Sequence, residues 1–571
     1  MKTKTGKTAI KKVLGEIPLT AELYWQLRQQ GKPLSKSFSL QRTQKHLPEW
    51  VTQVQAALAA GPVNPPGQKI FMFATLRYWI EHAVLLGLAL AGQGHQVTLA
   101  YLPVNNWRVR MNRFDLRRQN AYAHSILEPA GKFLHPVSIL DLKGLSQPLP
   151  PELVKAIEEV SIRDVQYTLQ IEDVDQNSEL YRLRVEKNTN AAQAALSWLQ
   201  ANRPDVVLTP NGSILEMGAI YRVARWLDVP VVTYEFGEQR GRIWLAQNDE
   251  VMLQHTDDLW QTWQDQPLSD SQMEQIRALY ASRQNASLWE NFSRRWQGLP
   301  SQGGEQARQA LGLDDRPLAV LAANVIGDSL TLGRQVFSRN MTEWLQRTLR
   351  NFAQRPDVQL VVRIHPGERY TKGPSVAEVI QAVMPVLPEN IHLVAAGDPI
   401  NTYDLIDIAD LGLVYTTTVG MEMAMSGVPT IVAGHTHYRG KGFTLDPAGW
   451  EEFFELLNQA LTQKKVGQAD GLSVSRHPQS EGRPRLSRDQ VDLAWQYAYR
   501  FFFTYPLAFP WHMLYFYDEL NEWSLEKALG VEGQAAYAEA WSCLAGRPRQ
   551  WLPTVPNGSI GDTLQGEGSK S

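Results

Sequence analysis

A chain of 571 residues, 43% hydrophobic and 20% charged, is long enough for several domains and too apolar to be disordered. Its net charge of -3 excludes a general nucleic-acid binder, which carries a basic excess. Cys543 is the single cysteine, so there is no intrachain disulfide and no thiolate metal cluster, which suits a reducing cytoplasm. Lys2, Lys4, Lys7, Lys11 and Lys12 precede the first acid, Glu16, without the apolar core of a signal peptide behind them. They read either as a solvated start or as an attraction to an anionic membrane at the inner face of the cell.

Residues 1–66 form a polar, helical N-terminal extension that ends in the breaker-rich Gly61-Pro-Val-Asn-Pro-Pro-Gly67. A first Rossmann-like domain is expected over 67–290. Lys69–Thr75 is a short apolar run suited to a buried parallel strand, residues 78–91 have helical spacing, and Gln96–Leu102 is a second strand. Residues 105–200 are charged, mostly helical in character, and read as an insertion. Alternation resumes with a strand from Asp205, a helix to about Leu227 and a strand over Pro230–Tyr234. Residues 255–310 are polar and suit an interdomain segment.

A second Rossmann-like domain is expected over 311–465, with strands at Leu318–Asn324, Gln359–His365, Ile391–Ala396, Leu411–Tyr415 and Pro429–Ala433. A helical, aromatic-rich segment follows over 485–550, and a Gly/Ser-rich tail over 556–571 is expected to be disordered. The aromatic run 497–511 either meets a membrane or a partner, or packs back on the first domain. The fold class is therefore α/β, with two parallel-sheet domains facing each other across a cleft. Ligands of such sheets bind at the carboxyl ends of the strands.

Three groups of residues in the second half fall there. Arg363-Ile-His-Pro-Gly-Glu368 delivers Arg363 and His365 to the sheet edge, with Pro366 setting the turn. An arginine there suits a phosphate, and the histidine suits a phosphate or a leaving oxygen. Thr416, Thr417 and Thr418 offer hydroxyls and N–H groups where a helix begins; an ordinary strand-helix-strand scaffold is the plain alternative. Gly434–Thr444 gathers His435, His437, Tyr438, Arg439 and Lys441 among glycines. A metal at the two histidines lacks nearby carboxylate or thiolate partners, so no metal and no cofactor is expected. No Walker sequence is present, and Gly92-Gln-Gly94 lacks the third glycine of a dinucleotide fingerprint. Together the three groups describe a pocket for a phosphate-bearing ligand, most economically a nucleotide.

In the first half, Tyr234-Glu-Phe-Gly-Glu-Gln-Arg-Gly-Arg242 follows a strand directly. Glu235 and Glu238 are both candidates for a general base on an acceptor hydroxyl, and pairing with Arg240 or Arg242 is the structural alternative. Arg77, Asn211, Ser213 and Arg240 line the acceptor side of the expected cleft.

Residues 416–444, Arg363-Ile-His-Pro366 and Glu235-Phe-Gly-Glu-Gln-Arg240 resemble the bacterial capsule polysaccharide biosynthesis proteins, which include capsule Kdo transferases. The resemblance covers residues 205–445 and is specific in its last thirty or so. It implies a GT-B fold and inverting transfer of a sugar from a nucleotide donor, CMP-Kdo in characterised members, to a glycan or glycolipid acceptor. It implies that His365 and the threonines hold the donor phosphate and that Glu235 is the acid/base carboxylate. Phe236 departs from it, standing where that family usually carries Asp or Asn. Competing readings are a sugar-nucleotide epimerase or a CDP-glycerol-type glycerophosphotransferase. A third is a non-catalytic factor of polysaccharide assembly or export that binds a nucleotide or glycan.

Overall fold

The computed structural model describes residues 10–61, 67–142, 148–295, 297–462 and 485–551. The Gly/Ser-rich tail, Lys2, Lys4 and Lys7 and most of the breaker stretch before Gly67 lie outside those residues.

Two sheets organise the chain. The first contains β1 (Lys69–Thr75), β2 (Gln96–Leu102), β3 (Leu134–Ser138), β4 (Val206–Pro210), β5 (Val231–Glu235), β6 (Arg242–Gln247) and β12 (Leu507–Ala508), in the order β12-β6-β5-β4-β1-β2-β3. The second contains β7 (Leu318–Ala322), β8 (Gln359–Arg363), β9 (Ile391–Val394), β10 (Leu411–Val414) and β11 (Thr430–Val432), in the order β11-β10-β7-β8-β9. Numbered within each half, the parallel strands of both run 3-2-1-4-5, the doubly wound order. The protein is thus an α/β protein of two Rossmann-like halves, a GT-B-like architecture.

The inner strands are apolar almost without interruption because helices cover both faces. Phe71, Met72, Phe73 and Ala74 of β1 are all buried, and Ile70 is in register with Val97 on one side and Val206 on the other. In the second sheet, Ala319, Val320 and Leu321 of β7 pair with Leu360, Val361 and Val362 of β8. The reversal of strand order falls between β1 and β4 in the first half and between β7 and β10 in the second.

One feature departs from the sequence expectation, and in a second, one of two open alternatives is realised. The stretch 105–200, read as helical, contributes β3, which pairs in parallel with β2 as a genuine sheet member. Pro136, the exposed His135 and the half-buried Val137 disguise it, as expected of an edge strand. Of the two readings of the aromatic run 497–511, packing back on the protein is the one observed, and it reaches both halves. Tyr497, Phe501, Phe503 and Tyr505 join the core of the second half, while Phe509 and Trp511 join that of the first. Between them β12 adds an antiparallel strand to β6, so the C-terminal segment ties the halves together. Among the described residues no helix is long and apolar enough to cross a membrane.

Candidate functional site

The carboxyl ends of β1, β4 and β5 present Leu76, Asn211 and Glu235. Glu235 closes β5, and its carboxylate has two neutral donors: Asn211 Nδ2 at 3.2 Å and its neighbour's backbone, Phe236 N, at 3.1 Å. Burial without a cationic partner pushes its pKa up to about 7. Tyr78 and Tyr167 stand close enough for the Glu235 charge to raise their own pKa values further, on top of burial. The Asn211 loop is set to reach inward: Asn211, Gly212 and Leu215 all have positive φ, at 60°, 79° and 56°. Asn211 Oδ1 accepts from Ser213 N at 3.0 Å, and Ser213 Oγ has no hydrogen-bond partner among the described residues.

Gly237, two residues beyond Glu235, has a packing reason. A Cβ there would lie 2.6 Å from Trp244 Cζ2 on β6. Gly237→Ala is expected to cost about 1–3 kcal/mol of stability, read as a lowered midpoint in thermal or urea unfolding. Phe236 turns away from the cleft into a ring cluster with His82 at 5.0 Å and His512 at 5.1 Å between centroids. An Asp or Asn at this position would be left among aromatic rings, so the packing here favours an aromatic side chain.

Glu238 accepts from Arg294 Nη1 at 3.2 Å. Burial raises its pKa to about 7 against the pull of Arg283 and Arg294. Arg294 also approaches the second half, since a Cβ on Gly367 would lie 3.8 Å from its Nη2. Arg240 stacks its guanidinium 3.9 Å above the Tyr515 ring, and Arg77 pairs with Glu81 one turn along its own helix at 3.1 Å.

On the opposite side, His365 follows β8 and caps the short turn Pro366–Tyr370. Its Nδ1 accepts from Gly367 N at 3.0 Å, which places the ring proton on Nε2. Burial, with Arg294 nearby, pushes its pKa down to about 4, so the ring is a neutral N–H donor at pH 7. Asp328, in the loop after β7, acts on both His365 and Tyr167 and so lies between the halves. The end of the helix Pro151–Leu169 closes that gap: Gln170 Oε1 accepts from Lys372 N at 2.8 Å, and Glu172 caps the helix Met341–Ala353 of the second half through Met341 N at 2.9 Å and Thr342 N at 3.0 Å.

At the second switch point Asn324 Oδ1 accepts from Thr416 N at 3.1 Å, joining the ends of β7 and β10. Thr416 Oγ1 has no hydrogen-bond partner among the described residues, and Thr417 Oγ1 accepts from Val419 N at 3.4 Å. Thr418 precedes the helix Val419–Met425, and its carbonyl accepts from Met421 N and Glu422 N. Sequence reading missed Asn324, Asp328, Arg294, Tyr78 and Tyr167. Asn324 alone carried a signal, as the last residue of an expected strand.

The cations expected to meet a phosphate are largely engaged by the protein. Arg363 donates to Ala395 O at 2.7 Å and Thr402 Oγ1 at 3.4 Å. Arg439 clasps the carbonyls of Val432 and Pro447, and Lys441 forms an ion pair with Asp257. Tyr438 is fully buried and donates to Thr417 O at 2.6 Å, bracing the threonine turn from behind. His437 stacks on Phe501, and among the described residues no group of His, Cys, Asp and Glu could hold a metal ion.

Fold and site together define an α/β protein of two Rossmann-like halves with a partly buried carboxylate and a neutral histidine at facing strand ends. No family model matches the chain, and no curated protein matches it. Among solved structures it is similar to KpsC of Thermosulfurimonas dismutans, a β-Kdo 2,4 transferase, at 16% identity over 51% of this chain and 78% of that one, with a TM-score of 0.30. The β-Kdo 2,7 transferase of the same protein gives 15% identity over 58% and 90%, with a TM-score of 0.29. UDP-GlcNAc 2-epimerase from Neisseria meningitidis, bound to UDP-GlcNAc, gives 14% over 68% and 90%, with a TM-score of 0.21. At that level of likeness the chemistry is read from the chain's own residues.

Proposed function

We propose that the protein is an inverting glycosyltransferase of surface-polysaccharide synthesis, moving a sugar from a nucleotide donor to a hydroxyl of a glycan or glycolipid. The observation that carries this reading is Glu235, a carboxylate with neutral partners only and a pKa of about 7, at the cleft end of β5. It takes the proton of the acceptor hydroxyl as that oxygen bonds to the anomeric carbon. The bond to the donor phosphate breaks in the same displacement, and the nucleotide leaves with the electron pair, which inverts the centre. His365 Nε2–H, Thr416 Oγ1 and the free side of the threonine turn receive the departing phosphate. Glu238, tied to Arg294, is the second candidate carboxylate.

The engagement of Arg363, Arg439 and Lys441 by protein groups favours a donor with one phosphate over one with two, since less charge needs neutralising. A CMP-linked sugar, CMP-Kdo first, is accordingly the donor to try. The test is thermal unfolding with CMP, CDP, UDP and GDP and their sugars, followed by product analysis of whatever binds. At a hundredfold excess over Kd a ligand adds about 2.7 kcal/mol, a clear rise in Tm. CMP compounds are expected to give that rise, and His365→Ala to lose most of it. Stabilisation by UDP-GlcNAc with release of its 2-epimer, and no transfer, would replace this reading with the epimerase one.

A further inference from the structure

The N-terminal helices are arranged in reverse of ordinary surface helices: many of their polar groups face the protein while an apolar stripe faces outward. Helical residues 10–16 and the helix Thr20–Arg28 lie against the helix Arg113–Leu127. Lys11 Nζ pairs with Asp115 at 2.9 Å, and Arg117 Nε donates to Glu22 at 2.9 Å. Arg117 Nη1 reaches the carbonyls of Gly15 at 3.0 Å and Ile17 at 2.7 Å, and Arg118 Nη1 donates to Gln29 Oε1 at 3.0 Å. Ala21 and the Tyr24 ring, edge-on to Phe114, supply apolar parts of the contact.

Ile10, Val13 and Ile17 then fall at i, i+3, i+7, and Leu19, Leu23 and Leu27 at i, i+4, i+8. All six are between 46% and 72% exposed. Single exposed apolar residues are ordinary, but here Ile10 and Val13 on the first helical stretch, Leu23 and Leu27 on the next helix, and Ile17 and Leu19 in the turn between them are exposed within eighteen residues.

The sequence that carries it is basic. Residues 1–36 contain eight Lys and Arg against only Glu16 and Glu22, in a chain of net charge -3. Both acids are already ion-paired, to Arg113 and Arg117, while Lys12, Arg28, Lys32 and Lys36 are exposed. An apolar stripe bordered by cations is complementary to an anionic bilayer surface. The helix Arg113–Leu127 connects β2 to the edge strand β3 and packs beside β3, so the stripe lies at that edge of the first sheet.

We propose that this stripe docks the protein on a bilayer rich in anionic phospholipid, the isoleucines and leucines entering the headgroup region and the lysines and arginines meeting lipid phosphates. Binding is independent of the transfer reaction and is read without it. The full chain is sedimented with phosphatidylcholine vesicles, with and without phosphatidylglycerol. It is expected to pellet with the anionic vesicles, to be released by salt, and to lose about a factor of five in affinity in Lys12→Ala. Leu23→Glu/Leu27→Glu is expected to lower binding at least about tenfold with unchanged circular dichroism and Tm, because both side chains are exposed. Equal binding by the double variant, or a wild-type chain that stays in the supernatant, overturns the proposal. So does a wild-type dimer by light scattering that the double variant converts to monomer, which would make the stripe a contact between copies.

Discussion

Glu235→Gln is expected to lower sugar transfer by about 10²- to 10⁴-fold while leaving the protein folded. The amide keeps the shape and its oxygen accepts from Phe236 N, while its NH2 takes the place of the oxygen that accepts from Asn211 Nδ2, so the lost elements are the proton-accepting charge and that one hydrogen bond. In the wild type, kcat/KM should rise through pH 7, where the carboxyl ionises, and level above it. The residual rate of the variant should lack that step. Stability carries a second, opposite signature. Glu235 has its pKa raised from 4.5 to about 7 in the folded state, so between those values the native protein holds a proton that the unfolded chain releases. Folding stability therefore falls as pH rises across that window and stays low above it, by about 1–3 kcal/mol. Glu235→Gln should melt higher than wild type at pH 8 and close to it at pH 4.5. An inactive variant that is more stable separates catalysis from folding. Wild-type activity in Glu235→Gln would remove this residue from the mechanism and leave Glu238 to be tested.

The core strands were legible because burial on both faces leaves them apolar throughout, as in Lys69–Thr75 and Gln359–Arg363. Leu134–Ser138 was not, since an edge strand with a proline shows neither a continuous run nor a clean alternation. Glu235 and Asn211 could be placed at the cleft as polar residues immediately after buried strands. The engagement of Lys441 could not be foreseen, because its partner Asp257 is 184 positions away and only the packing of the interdomain segment brings them together. Tyr167 and Asp328 were invisible for a related reason: each sits in a segment whose role is decided by what the other half of the molecule presents to it.

Arg184→Met is expected to be the most damaging single substitution outside the cleft, at about 3–5 kcal/mol. Arg184 is buried beneath the Asn211 loop, where Nε donates to Asp164 at 2.9 Å, and Nη2 meets Glu216 at 3.1 Å and Asn188 Oδ1 at 2.9 Å. Asn188 in turn donates to Asp164 at 2.8 Å and to Ser161 Oγ at 3.0 Å. Removing the guanidinium leaves two buried carboxylates without their cation, a larger cost than the attraction alone would suggest. Urea unfolding should show the loss as a lower midpoint. Asp164→Leu/Glu216→Leu in the Arg184→Met background should recover much of it, because an apolar replacement leaves no stranded charge. Function should not recover with stability. Asp164 Oδ1 also accepts from Leu215 N at 2.5 Å, and that bond holds the loop in which Asn211, Gly212 and Leu215 keep positive φ. Without it the loop is free to relax toward commoner backbone angles, and Asn211 Nδ2 moves away from Glu235. The triple variant should therefore be stable but slow, with the pH midpoint of its remaining activity shifted above 7. One of the two neutral donors that favour the ionised carboxylate is gone. A stable triple variant with wild-type rate and pH profile would show that the buried network supports the fold alone and leaves the placement of Glu235 to β5.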